Sequence, residues 1–155
     1  MVLKDRFMFF PEMCHGCGGC EVVCPEGAIT MGKRSIGHVA FSTPRNGLVL
    51  ITGVLNEREI MSPPVIRETL GYASGHPLVI CDAPPGMACP VVETLEGADT
   101  CIFVTEPTPF GRHDLSLAAG VASVLGVPSG VVINRSQGDD GIILDLCRER
   151  DLPVL

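Results

Sequence analysis

The chain has 155 residues, enough for about one domain with a small appendage, and 46% of them are hydrophobic, so it can bury a real core. A formal charge of −7, no Trp and one Tyr argue against an extended nucleic-acid surface, which needs a basic face and stacking aromatics. No apolar run approaches the ~20 residues of a membrane span, and eight cysteines in a soluble, reducing, cytoplasmic setting point to metal or redox chemistry rather than crosslinks.

In chain order, residues 5 to 10 read as a short strand that Pro11 stops. Cys14, Cys17, Cys20 and Cys24 follow, with Pro25 directly after. The spacing CxxCxxCxxxCP is the bacterial ferredoxin run for a 4Fe–4S cluster, in which three cysteines wrap one cluster and the fourth reaches a second. Two-residue gaps let thiolates converge on one cube, and Gly16, Gly18 and Gly19 supply the backbone angles of a tight wrap. A zinc site fits worse, because four cysteines fall within eleven residues without the longer spacer of paired zinc motifs. Disulfides need an oxidising compartment, and nothing before the run resembles a secretion signal. His15 reads as a loop residue.

The ligand count leaves two possibilities. No second CxxCxxC occurs in the chain, and Cys81, Cys89, Cys101 and Cys147 are scattered. Either the four motif cysteines hold one cluster by themselves, or a matching motif is absent from this chain. A helical turn over 20–24 and a return strand over 28–31 would make half of a ferredoxin. The stretch Gly27 to Arg34 matches the start of a P-loop but puts Arg34 where a Ser or Thr must reach Mg²⁺, so it is rejected.

Residues 32 to 47 read as a polar linker. Beyond it the segments 48–52, 78–81, 101–104 and 131–133 are unbroken apolar runs, as in strands covered on both faces of a parallel sheet. Between them lie a helix capped by Ser62 and opened by Pro63 and Pro64, another over 112–125 closed by Gly126, and a third from Asp139 or Asp140 that buries Ile142, Ile143, Leu146 and Cys147. A last strand is expected over 152–155. Alternating strands and helices predict a doubly wound three-layer α/β sheet, whose ligands sit at the carboxyl ends of the strands. Asp82, at the end of the run 78–81, is placed to hold a hydrated Mg²⁺, and Gly86 to bring its amide to a phosphate before a helix start; an ordinary strand-to-helix turn fits about as well.

Five segments in order, CHGCGGCEVVCPEGAI, LNEREIMSPPVI, DAPPGMACPVVE, TEPTPFGRHDL and GVVINRS, resemble the MinD/Mrp-type P-loop ATPases that carry an inserted bacterial-type ferredoxin domain. The resemblance covers essentially the whole chain, beginning at the second cysteine motif of such proteins and omitting their Walker A part. It implies a ferredoxin-like segment over 1–37 and a partial MinD-like P-loop NTPase domain over 38–155. It also implies Asp82 as the Mg²⁺-linked catalytic aspartate, Gly86 as a phosphate sensor, and Asn134 with Arg135 at the adenine. ATP and Mg²⁺ would be cofactors in the full-length context, beside the cluster. Partners would be a redox protein and, in the full-length form, a second subunit. Without the lysine-bearing loop, independent ATPase activity is not expected of this chain. The function so implied couples nucleotide state to a 4Fe–4S redox centre; the rivals are a plain ferredoxin-like electron carrier and an iron–sulfur cluster carrier. Cys89, at a helix start, reads as a packing residue.

Overall fold

A computed structural model describes residues 2–3, 6–45 and 47–155, and the chain divides into two compact units, Met1–Ser74 and Gly75–Leu155. The expected boundary at 37/38 falls inside the first unit, at the start of a long strand.

In the first unit, β1 (Val2–Leu3) pairs antiparallel with β2 (Arg6–Phe7). Of the strand expected over 5–10, only Arg6–Phe7 forms, and Asp5 lies outside the described residues. A single 3₁₀ turn, Pro11–Met13, leads into the cysteine run, and α1 (Gly19–Val22) is one turn of helix inside it. The return strand expected over 28–31 does not form: these residues lie in no strand among the described residues.

The second correction is larger. Most of the expected linker is β3 (Gly37–Arg45), which pairs antiparallel with β4 (Leu48–Leu55) in a hairpin turned at Gly47, whose φ is +80°. The run at 48–52 is therefore not a strand of a parallel sheet. Helix α2 (Pro63–Ala73) lies on this hairpin because two strand positions are glycine. A Cβ at Gly53 would stand 2.5 Å from Thr69 Oγ1 and 2.9 Å from Val65 Cγ1, and one at Gly37 would stand 3.1 Å from Val65 Cγ2. Ser62 precedes α2 in helical geometry with no side-chain cap bond, so Pro63 alone marks the start.

In the second unit β5 (Cys101–Thr105) and β6 (Ser129–Ile133) run parallel, and Val154 adds a parallel bridge to Val131. The strand expected over 152–155 is reduced to that bridge. Helices α3 (Cys89–Leu95), α4 (Pro109–Leu125) and α5 (Gly141–Glu149) supply the core. Leu115, Val131, Ile143, Leu146 and Cys147 pack with Phe103 and Ile133, while Val91, Leu95 and Ala122 pack with Cys101 and Phe103. Because side chains alternate along a strand, these helices share the face bearing Cys101, Phe103 and Val131. Ile102 and Val104 on the opposite face are 58% and 66% exposed. Residues 78–81 are exposed and pair with no strand among the described residues, so the expected strand does not form there: an apolar run becomes a strand only where a neighbour takes its backbone groups.

Helix ends follow local chemistry. Helix α4 begins three residues before the expected Arg112, because Thr108 Oγ1 accepts the Gly111 amide at 3.0 Å and Pro109 is set for the first helical position. It closes at Gly126, left-handed at φ +71°. Among the described residues the strands form three two-stranded sheets, and no helix is long and apolar enough to cross a membrane.

Candidate metal centre

Cys14, Cys17, Cys20 and Cys24 lie on one short loop and on α1 within it. Gly16 (φ +65°) and Gly18 (φ +73°) adopt left-handed backbone, and a Cβ at either would meet nothing within 4 Å. Glycine is therefore required there by conformation rather than by crowding. Gly18 is also the residue from which α1 starts, which sets Cys20 on the helix and Cys17 just before it. His15 is exposed.

All four cysteines are free thiols. Cys14, Cys17 and Cys20 are exposed and Cys24 is half-buried. The Ala28 amide donates to Cys24 Sγ at 3.4 Å, the kind of bond that stabilises a thiolate's charge and tunes a cluster's potential. Among the described residues, no three His, Cys, Asp or Glu side chains stand close enough together to hold a metal ion. The thiols thus fit a 4Fe–4S group in kind and in accessibility but are not gathered.

Residues 7–30 match the 4Fe-4S binding domain.

The chain therefore carries an iron–sulfur domain, and its cysteine run lies wholly inside the matched residues. Over its length the chain is also similar to two proteins of Methanocaldococcus jannaschii. The uncharacterized protein MJ0579 is 35% identical over 133 residues, which cover 84% of this chain and 48% of the relative. The uncharacterized protein MJ0578 is 34% identical over 110 residues, which cover 70% and 39%. The chain thus spans about half the length of the curated relatives it matches. No solved structure matches it.

One feature near the cysteines had no signal in the sequence. The Arg34 guanidinium donates to Glu59, and the Asn56 side-chain amide donates to the Ser35 carbonyl at 3.0 Å, so the segment after the cysteine run is pinned to the far end of the hairpin. Glu59 also accepts the Met61 amide at 2.9 Å and the Ile60 amide at 3.0 Å. The Arg34 bond, with the backbone donors, holds the Glu59 carboxyl below its ordinary range. The partners are 25 residues apart in sequence, and only the folded hairpin brings them together. Arg34 so engaged, with no helix after Gly32, is no part of a phosphate loop.

The other predicted residues lie in the second unit. Asp82 is exposed directly after residues 78–81, and Gly86, left-handed at φ +99°, stands three residues before α3. Asn134 and Arg135 directly follow β6, beside the end of β5: the Asn134 backbone amide donates to the Thr105 carbonyl at 2.7 Å, and Arg135 pairs with Glu106 at 3.1 Å. Asn134 Oδ1 is engaged by the Arg135 amide at 3.0 Å. Cys89 is the first residue of α3 and is exposed. Burial raises the thiol pKa of Cys101 and of Cys147, so both are poor thiolates at neutral pH.

Proposed function

We propose that this chain is a ferredoxin-like iron–sulfur electron-transfer protein whose cluster is held by Cys14, Cys17, Cys20 and Cys24. The observation that carries this reading is the four-cysteine run inside residues that match a 4Fe-4S binding domain. The cluster, when bound, takes up and releases one electron. The chain's own part is to supply deprotonated sulfurs, which release protons on loading. It also offers the Ala28 amide to Cys24 Sγ, and it presents the loop at the surface where a redox partner can reach it. Redox titration of the anaerobically loaded protein should show a reversible one-electron step that Cys17→Ser abolishes. A loaded protein that cannot be cycled, but gives up its iron to an apo-acceptor, would make the cluster a cargo instead.

A second, finer reading is favoured by the ends of the parallel strands. In it the second unit is part of a MinD/Mrp-type three-layer nucleotide sheet, and the full-length protein is a homodimeric ATPase whose nucleotide state alters the redox centre. It is supported by the parallel β5–β6 pair, by Asn134 and Arg135 at its carboxyl end and by left-handed Gly86 ahead of α3. Relatives about twice as long leave room for the lysine-bearing loop. Asp82 would organise Mg²⁺, Gly86 would sense the terminal phosphate, and Asn134 with Arg135 would face adenine. With the lysine-bearing part restored, ATP should shift the cluster's potential, and Asp82→Asn should remove both the shift and hydrolysis. Identical titrations with and without ATP would leave the plain electron carrier.

A further inference from the structure

The segment that joins the cysteine run to β3 is held at both ends. At its start the Gly27 amide donates to the Cys24 carbonyl at 3.2 Å, and the Ala28 amide donates to Cys24 Sγ at 3.4 Å. At its far end the Asn56 backbone amide donates to the Ile36 carbonyl at 2.9 Å, the Asn56 side chain donates to the Ser35 carbonyl, and Arg34 donates to Glu59. Residues 34 to 36 are thus gripped by a single turn.

That turn directly follows β4 and is closed by the Glu59 amide, which donates to the Asn56 carbonyl at 3.1 Å. Arg58 inside it is left-handed at φ +63°, an uncommon backbone for a residue with a Cβ, which persists only where the surrounding contacts enforce it. The Glu59 side chain is 4% exposed, and its two oxygens are divided between tasks. Oε1 accepts the Ile60 and Met61 amides that shape the turn, while Oε2 takes Arg34. An enclosed carboxylate holds its cationic partner more firmly than an exposed one does. The turn stands at the end of the hairpin on which α2 packs, so whatever it grips is tied to the folded body of the first unit.

We propose that Arg34 and Glu59 are positioning residues for the iron–sulfur centre: with Asn56 they fix the course of residues 28–36 and so keep the Ala28 amide on the Cys24 sulfur. The proposal rests on the iron–sulfur reading above and deepens it. An amide aimed at a ligating sulfur favours the more negative, reduced cluster and raises its potential. Slack at residues 34–36 lets that amide turn away and lowers the potential. A direct effect of charge has a different signature. Losing the Arg34 cation disfavours the reduced cluster and losing the Glu59 anion favours it, so by charge alone the two losses move the potential in opposite directions. Acting through the amide, both lower it.

The test is redox titration of the whole chain, loaded anaerobically, in about 1 M salt to screen direct charge effects. Arg34→Gln and Glu59→Gln should both lower the potential, and the double variant no further than the larger single change, because the two side chains act as a pair. Arg34→Lys keeps a donor for Glu59 and should stay close to wild type. In the unloaded proteins, exchange of the Ala28 amide with solvent, followed by NMR, should be roughly three- to tenfold faster in the two Gln variants. Glu149→Gln breaks the Arg112–Glu149 ion pair of the second unit and should move neither reading. Shifts of opposite sign would make the pair a charge effect. An unchanged potential, even with faster cluster loss, or an Ala28 amide that exchanges as in wild type, would make it a purely structural tie. Either result would overturn the positioning proposal while leaving the iron–sulfur reading standing. Failure of wild type to take up a cluster and cycle one electron would overturn the reading itself.

Discussion

Replacing Gly18 separates the conformation of the cysteine loop from its ligand set. The substitution leaves all four thiols in place, and a Cβ there would meet nothing within 4 Å, so it introduces no clash. What remains is the backbone: φ of +73° is left-handed, which costs a residue with a Cβ about 1–2 kcal/mol. At about 1.4 kcal/mol per factor of ten, Gly18→Ala should weaken cluster retention by roughly 5- to 30-fold. Gly18→Val should lose more, because a β-branched residue is a worse fit to that region, and Gly18→Asn less, because asparagine tolerates it. Gly32→Ala is the control, since that glycine has no positive φ and equally open space. Rates of cluster loss to a chelator, followed anaerobically by absorbance, give the ratios. A Gly18→Val protein that keeps its cluster as long as wild type would show that the loop holding the cluster is not the one described.

Three further outcomes follow from the packing. Ile143 has no exposed surface, so Ile143→Ala should cost about 3 kcal/mol and lower the melting temperature of the second unit by roughly 12–24 °C; a shift of a few degrees would mean that this core is not formed. Because the Glu59 carboxyl is held below its ordinary pKa of 4.5, its contribution is present above that value and lost as pH falls through the lowered one. Wild type should accordingly melt above Glu59→Gln at pH 7, with the difference closing in acid, and a constant gap would assign the effect to packing. In the unloaded protein, iodoacetamide at pH 8 should modify exposed Cys81 and Cys89 well before Cys101 and Cys147, as peptide mass mapping would show; equal rates would contradict the burial.

The sequence was most legible where chemistry is local. The cysteine spacing and its glycines pointed to the metal centre without any tertiary information, and residues 7–30 match the domain they suggested. Helix ends set by a neighbouring residue were read to within a few positions, as with Gly126 closing α4 and Pro63 opening α2. Pairing was not legible, because a strand is made by its neighbour. The polar residues of 37–45 look like a linker until β4 lies beside them, and the apolar run 78–81 looks like a strand but has no partner among the described residues. The same limit applied to the site. Glu59 reaches Arg34 only across the hairpin, and nothing along the chain marks either residue as a partner.

The most direct test of the account is the metal content of the protein purified anaerobically from cells grown with both iron and zinc. The account predicts iron and acid-labile sulfide in equal amounts, about four of each per cluster, with a broad thiolate-to-iron absorption that dithionite bleaches and that Cys17→Ser lacks. A colourless protein holding zinc at the same four cysteines, with no labile sulfide, would contradict it.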